Sequence, residues 1–201
     1  MWRMIPIIGK KKPYLYDGIE HASKEEIYFR WYLDDLKDAG IVTSFEYQPG
    51  AWVLSEGAKV VQLVKLKTKT KTVERPLFQA KTYMPDFFIF FNGAHPAIMA
   101  FYEDLEKYNL TRKPADIPFL GGRFCCSVDI KPNYERDSAR SRAFSLIQAW
   151  VFHLYNMYVQ PIVYQKLFEK TFTPARFLLT DRTGKARKIN FKVRSLQEFI
   201  D

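Results

Sequence analysis

From Ala143 to Gln165 the chain carries no Asp, Glu, Lys or Arg. A run of that length either crosses a bilayer or is covered by the protein itself. Ser145, Gln148, His153, Asn156 and Gln160 interrupt it, and Pro161 sits just ahead of Ile162, Val163 and Tyr164. These interruptions favour a buried helix over 140–158 followed by a buried strand over 159–164, rather than a membrane span. The N-terminal Met1-Trp2-Arg3-Met4-Ile5-Pro6 has no apolar signal core or small-residue cleavage site, so a soluble, intracellular protein without a membrane partner is expected.

The rest of the 201 residues can supply what such a helix packs against. Hydrophobic residues make up 47% and aromatics 16%, enough for a core and too much for a disordered chain. Glycine and proline, at 9 and 11, are near ordinary usage. The two cysteines, Cys125 and Cys126, are adjacent, which excludes a disulfide framework and a four-thiolate zinc site and fits a reducing compartment.

Lys and Arg number 31 against 22 Asp and Glu, a net charge of +9, and the excess is clustered. Lys59, Lys65, Lys67, Lys69, Lys71, Arg75 and Lys81 stand against Glu74 alone. Lys170, Arg176, Arg182, Lys185, Arg187, Lys188, Lys192 and Arg194 stand against Asp181 alone. Clustered cations suit a phosphate backbone, because neutralising phosphates releases condensed counterions. They equally describe a solvated face.

Ser23 followed by Glu26 is the capping-box pattern for a helix start. Ala22, Phe29, Leu33 and Leu36 give that helix its apolar phase, and Gly40 ends it. Strand-like runs follow at 44–54, 59–66 and 76–91, with the alternating Lys-Thr run 65–72 as a projecting hairpin arm or exposed strand end. Residues 92–121 read as an insertion with a helical piece near 98–107. A strand is expected at 124–130, another at 177–180, then a turn at Asp181-Arg182-Thr183-Gly184 leading to 188–193, and a short closing helix. No repeat or linker is visible, so the expectation is a single domain over 1–201, α/β in class, with a basic C-terminal β-hairpin extension over 170–201.

Three acidic positions stand out. Glu26 lies on the apolar stripe of its helix, where a carboxylate is costly unless paired, metal-bound or capping the helix start. Asp86 opens the strand Phe87-Phe88-Ile89, although Pro-Asp is also a common turn dipeptide. Asp129 and Lys131 end the hydrophobic run Phe124-Cys125-Cys126-Ser127-Val128-Asp129-Ile130 and share one face, about 6.6 Å apart. That spacing suits metal-assisted hydrolysis and also a surface ion pair. His21, His95 and His153 have no zinc-like spacing, Ser127 lacks a glycine-rich elbow, and Gly121-Gly122 lacks the Lys-Ser/Thr of a phosphate loop.

Taken in order, Glu26, Pro85-Asp86 and Asp129-Ile130-Lys131 resemble the PD-(D/E)xK nuclease superfamily. The flanks Ser23–Phe29, Phe45-Glu46-Tyr47-Gln48-Pro49 and Thr82-Tyr83-Met84-Pro85-Asp86-Phe87 are similar to phage endonuclease I junction resolvases and to the endonuclease subunit of heteromeric transposases. The resemblance covers about 16–165. It departs from the family in the long interval between Asp86 and Asp129, which the insertion 92–121 occupies. The resemblance implies a mixed central sheet flanked by helices and a phage-encoded endonuclease in the host cytoplasm. It would act on DNA, duplex or branched, using Mg²⁺ or Mn²⁺.

Asp86, Asp129 and the Ile130 carbonyl would hold the cation, since hard cations take oxygen donors. Glu26 would complete the site or hold a second cation, and Lys131 would orient or deprotonate the attacking water. Gln148 would touch water or phosphate as an accessory residue, or be a hydrogen-bonded core amide, and Glu25 would substitute for Glu26 if the helix register differs by one. Lys65, Lys67, Lys69 and Lys71, in an extended strand, would line one face against DNA, with Arg182, Lys185, Arg187 and Lys188 as a second basic group. Junction resolution would require a homodimer. A DNA-binding or virion-associated module keeping the fold without activity is the alternative, and RNA as substrate is a third.

Overall fold

The computed structural model describes residues 13–93, 119–120, 123–132, 139–180 and 183–201. The insertion's interior, its expected helical piece near 98–107, and Arg182 lie outside the described residues. A small antiparallel pair, β1 (Tyr14–Tyr16) and β2 (Ile19–His21), leads into α1 (Lys24–Asp38). Ser23 caps α1 by accepting the Glu26 N–H, as the sequence pattern requires. At the other end Gly40 takes φ +72°, its N–H reaches the Lys37 carbonyl, and the Ile41 N–H reaches the Leu36 carbonyl. This is the Schellman closure, with buried Leu36 and Ile41 as its apolar pair.

The main sheet has the order β11 (Val159–Ile162), β10 (Arg123–Ile130), β8 (Phe87–Phe91), β3 (Val42–Tyr47), with β9 (Phe119–Leu120) also paired to β10. The β3–β8 and β8–β10 pairs are antiparallel and β10–β11 is parallel, so the chain is α/β with a mixed sheet. The parallel pair is joined through α2 (Ala139–Tyr155), as a parallel connection requires. β11 is an edge strand, and this is why it tolerates Pro161.

Strand alternation sorts the core into two layers. Phe87, Ile89, Phe91, Cys126, Val128 and Ile130 face α1, against Phe29, Leu33 and Leu36. Phe88 and Cys125 face α2, against Phe144 and Val151. Each fully buried Phe or Leu contributes about 1.5–3 kcal/mol relative to exposure. The adjacent cysteines, both free, therefore sit on opposite sheet faces.

Several expectations need correction. The run 44–54 is two strands, β3 and β4 (Trp52–Ser55), broken where Gln48 takes φ +49° and Gly50 φ +137°. The run 76–91 is three pieces: the end of β6 (Thr70–Phe78), β7 (Lys81–Tyr83) and β8. Both breaks arise because β4–β7 and β5 (Ala58–Lys65)–β6 form a two-part hairpin excursion from the main sheet. The helix over the charge-free run is buried on one stripe only. Phe144, Gln148 and Val151 face the sheet, while Leu146 remains 71% exposed and Trp150 and Leu154 are also exposed.

After β11, α3 (Tyr164–Lys170) has no counterpart among the expected elements. The expected strand at 177–180 is largely a 3-10 turn (Ala175–Leu178), followed by one bridge, Leu179–Ala186. The expected strand at 188–193 is irregular, so the C-terminal hairpin is a single turn rather than a ribbon, before α4 (Leu196–Ile200). No helix among the described residues is long and apolar enough to cross a membrane.

Candidate active site

The register that pairs Val128 with Phe87 brings Asp129 beside Asp86, at the end of the sheet where β8 begins and β10 finishes. Both side chains project on the α2 side, the parity of Phe88 and Cys125. Asp86 accepts the Ile130 N–H at 2.6 Å, so it is fastened to the strand that carries Asp129. Burial first, and the charge of Asp129 second, push the Asp86 pKa up to about 8, so at neutral pH the pair shares a proton. Lys131 lies just past β10, with Nζ 3.0 Å from Asp129 Oδ1 and 4.3 Å from the centre of the Phe144 ring. Asp129 and Lys131 thus share a face as alternation requires.

Tyr83, in β7, donates its hydroxyl to Asp129 Oδ2 at 2.9 Å. Burial, then the Asp129 charge, hold its pKa above the ordinary tyrosine value, so it remains a donor. The excursion β4–β7 therefore starts and finishes at the acid pair. On its other side the Gln48 N–H closes onto the Asp86 carbonyl at 2.9 Å. Gln48 sits in left-handed backbone, a conformation costly for a residue other than glycine and one that clusters at functional sites.

Glu26 is buried, as its helix phase demands, and reaches the same sheet end from the α1 side. Its carboxylate is close enough to raise the Asp86 pKa. Yet it does not join a three-ligand site: among the described residues no three His, Cys, Asp or Glu side chains group closely enough to hold a metal ion. Its oxygens are already used. Oε1 accepts from Ser23 Oγ at 3.0 Å, while Oε2 accepts from the Ala22 N–H at 3.0 Å and from the Tyr47 hydroxyl at 2.7 Å. The capping reading is realised in part: Ser23 accepts the Glu26 N–H, but the Glu26 carboxylate takes the Ala22 N–H and the Ser23 hydroxyl rather than the Ser23 N–H of a full capping box, and Tyr47 joins it to the sheet. Behind it His21, fully buried, has Nδ1 3.9 Å from Glu26 Oε2 and Nε2 3.4 Å from Arg30. Burial, and then Arg30, hold His21 below the ordinary histidine pKa and hence neutral.

The accessory residues are placed elsewhere. Gln148 donates to the Val159 carbonyl at 2.7 Å and is a core amide fixing β11 to α2. Glu25 directs its charge at Tyr164 rather than at the acid pair. Ile130 donates its N–H to Asp86.

The basic groups also differ from the expectation. Lys65, Lys67, Lys69 and Lys71 do not line one face of a strand. Lys65 closes β5, Lys71 lies in β6, and Lys67 and Lys69 fall at the turn where the Leu66 N–H meets the Lys69 carbonyl. They crown the tip of the arm, and all four are exposed. The reason is the reversal at residues 66–69, which puts the two halves of the Lys-Thr run on opposing strands. Arg187 is a structural clamp. It donates to the Phe177 and Leu179 carbonyls and to the Tyr28 hydroxyl, and it covers the Tyr28 and Phe177 rings. Lys185 and Lys188 are exposed.

No family model, curated protein or solved structure matches this chain.

Sequence reasoning passes over His21, Arg30, Tyr47 and Tyr83 as individuals. Tyr47 and Tyr83 lie in stretches marked by their neighbours Gln48-Pro49 and Pro85-Asp86, but their roles depend on the folding of the arm. His21 has no sequence signal beyond its lack of zinc-like spacing.

Proposed function

We propose that the chain is a metal-dependent DNA endonuclease of the PD-(D/E)xK kind. The observation that carries the proposal is the acid pair Asp86–Asp129 with Lys131 at 3.0 Å, at one end of a mixed sheet. The order α1, three antiparallel strands, α2 and a parallel strand supports the same reading. Two aspartates that share a proton because burial, and then their mutual repulsion, disfavour a second charge form a donor set that a hard divalent cation fits. The cation would replace that proton and let both ionise. Asp86 and Asp129 would hold Mg²⁺ or Mn²⁺. The bound ion supplies polarisation of a phosphate oxygen and a hydroxide near neutral pH.

The chain's own residues do the rest. Lys131 places a positive charge beside the reacting phosphate, offsetting the charge that builds during attack. Tyr83 orients Asp129, leaving its other oxygen to Lys131. Tyr47 and Ser23 fix Glu26 as a second negative charge behind Asp86. The basic arm, whose base lies at this site and whose ribbon of eight paired residues spans about 26 Å, would hold the substrate backbone.

A DNA-binding module without activity is favoured by one observation: Glu26 is occupied by its own helix start. Incubating supercoiled plasmid and a four-way junction with the protein in Mg²⁺, Mn²⁺ or EDTA decides between them. Nicking or linearisation with metal and none with EDTA is expected. Intact DNA of both kinds under every condition would leave only the binding module.

A further inference from the structure

A cavity of about 610 Å³ lies on the far side of α1 from the acid pair, between β1 and the 3-10 turn. Lys24, Ile27, Tyr28 and Trp31 recur at helical spacing along its α1 wall. Glu26, two residues from Lys24, points to the opposite side of the helix. Trp31 forms the floor, with Tyr16 edge-on at 6.0 Å and Tyr28 at 5.3 Å. The rim is open: Tyr14 is 36% exposed, and Leu15 and Leu179 are more so. Two cations overlook it. Lys24 Nζ lies 5.6 Å from the Tyr14 ring centre, and Arg176 bonds the Tyr16 hydroxyl with Asp34 3.9 Å behind it. Among the described residues no acidic side chain lines the cavity.

Flat rings below cations, on a chain of net charge +9, complement a ligand that is itself a flat ring joined to an anion. An uncharged peptide or an acyl chain would use the apolar floor but not the two cations. We infer that this cavity binds an unpaired nucleotide of a DNA strand, its base against Tyr14 and its phosphate toward Lys24 and Arg176. The volume suits one nucleotide and its neighbouring phosphate. The inference rests on the nucleic-acid reading above and adds to it a preference for substrates with a single-stranded segment. Such a segment would be held across the first turns of α1 from the acid pair.

The test is fluorescence anisotropy of labelled oligothymidylate and of a duplex of equal length, titrated with the full chain in EDTA. Tyr14→Ala with Arg176→Ala should weaken oligothymidylate binding by about tenfold or more, leaving duplex affinity and metal-dependent plasmid cutting unchanged. Tyr14→Phe with Arg176→Lys, which keeps the ring and the charge, should restore binding to within about threefold of the original chain. Equal oligothymidylate affinity of the original chain and the double-alanine variant would overturn the inference, leaving the cavity to an apolar partner or to the chain itself. So would an equal loss on duplex, which would mark a general electrostatic effect. An original chain that binds duplex but not oligothymidylate defeats the cavity alone. One that binds neither defeats the nucleic-acid reading as well.

Discussion

Asp86 and Asp129 stand side by side in the sheet, one just ahead of β8 and the other near the end of its antiparallel neighbour β10. Burial, and then the charge of Asp129, push the Asp86 pKa up and keep it from ionising at its ordinary pH. Lys131 and Tyr83 approach Asp129 from either side, at 3.0 and 2.9 Å. Each relationship has a measurable consequence.

The shared proton makes stability depend on pH. In the unfolded chain Asp86 ionises near the ordinary value of about 3.9, whereas in the folded, cation-free protein it ionises at about 8. Between those values the native state binds one more proton. The Asp86 contribution is therefore full below about pH 4 and is lost as pH rises through 8. On the proposed reading a divalent cation would take the proton's place, so the Mn²⁺-induced rise in Tm should grow from pH 5 to pH 8, with proton release in calorimetry. A Tm increment independent of pH would separate metal binding from this pair.

Asp129→Asn removes the charge that both Lys131 and a cation require. Cleavage of plasmid should disappear while DNA affinity stays level or tightens, because a negative charge facing phosphate is gone. Gel shift and cleavage assays on the same preparation report both. An Asn variant that cuts at the original rate would move the chemistry to other residues.

Tyr83→Phe deletes one hydrogen bond and keeps the ring packed 6.5 Å from Phe144. Losses of this kind beside a metal ligand cost roughly 10- to 100-fold in activity or metal affinity. The expected result is a cut in metal-dependent rate of at least tenfold with a Tm within a few degrees of the original. A large fall in Tm with undiminished specific activity would make Tyr83 a structural residue only.

The arm's cations sit at its tip, so neutralising Lys65, Lys67, Lys69 and Lys71 together should weaken binding to all DNA sequences alike. The slope of log K against log salt should become shallower by about 0.9 for each phosphate that the arm no longer neutralises. Titrations at several salt concentrations measure it. An unchanged slope would point instead to Lys185 and Lys188, exposed beside the C-terminal turn.

Gly40 offers a test of the fold alone. Nothing lies within 4 Å of where its Cβ would be, so Gly40→Ala meets no clash and costs only left-handed backbone strain. A loss of about 1 kcal/mol in denaturant unfolding is expected, with cleavage intact. A neutral or stabilising effect would show that α1 does not depend on its Schellman end.

The chain's local order determined much of this. Ser23, Glu26 and Gly40 mark the ends of α1 because caps are short-range hydrogen-bond requirements. The hydrophobic run 124–130 marked β10, and strand alternation put Asp129 and Lys131 on one face. The charge-free run gave α2 and β11 their places, though not the exposure of Leu146 and Trp150. Only the tertiary structure decided what lies against what. Glu26 capping its own helix instead of completing an acid triad depended on Tyr47, 21 residues away. Tyr83 meeting Asp129 depended on how the arm folds back, across 46 residues. Arg187 became a clamp because it lands on Tyr28, 159 residues earlier. Periodicity and capping are set by neighbours a few positions apart, so they are legible in order. The partners of a buried charge are set by burial and by register between distant strands, which no local pattern encodes.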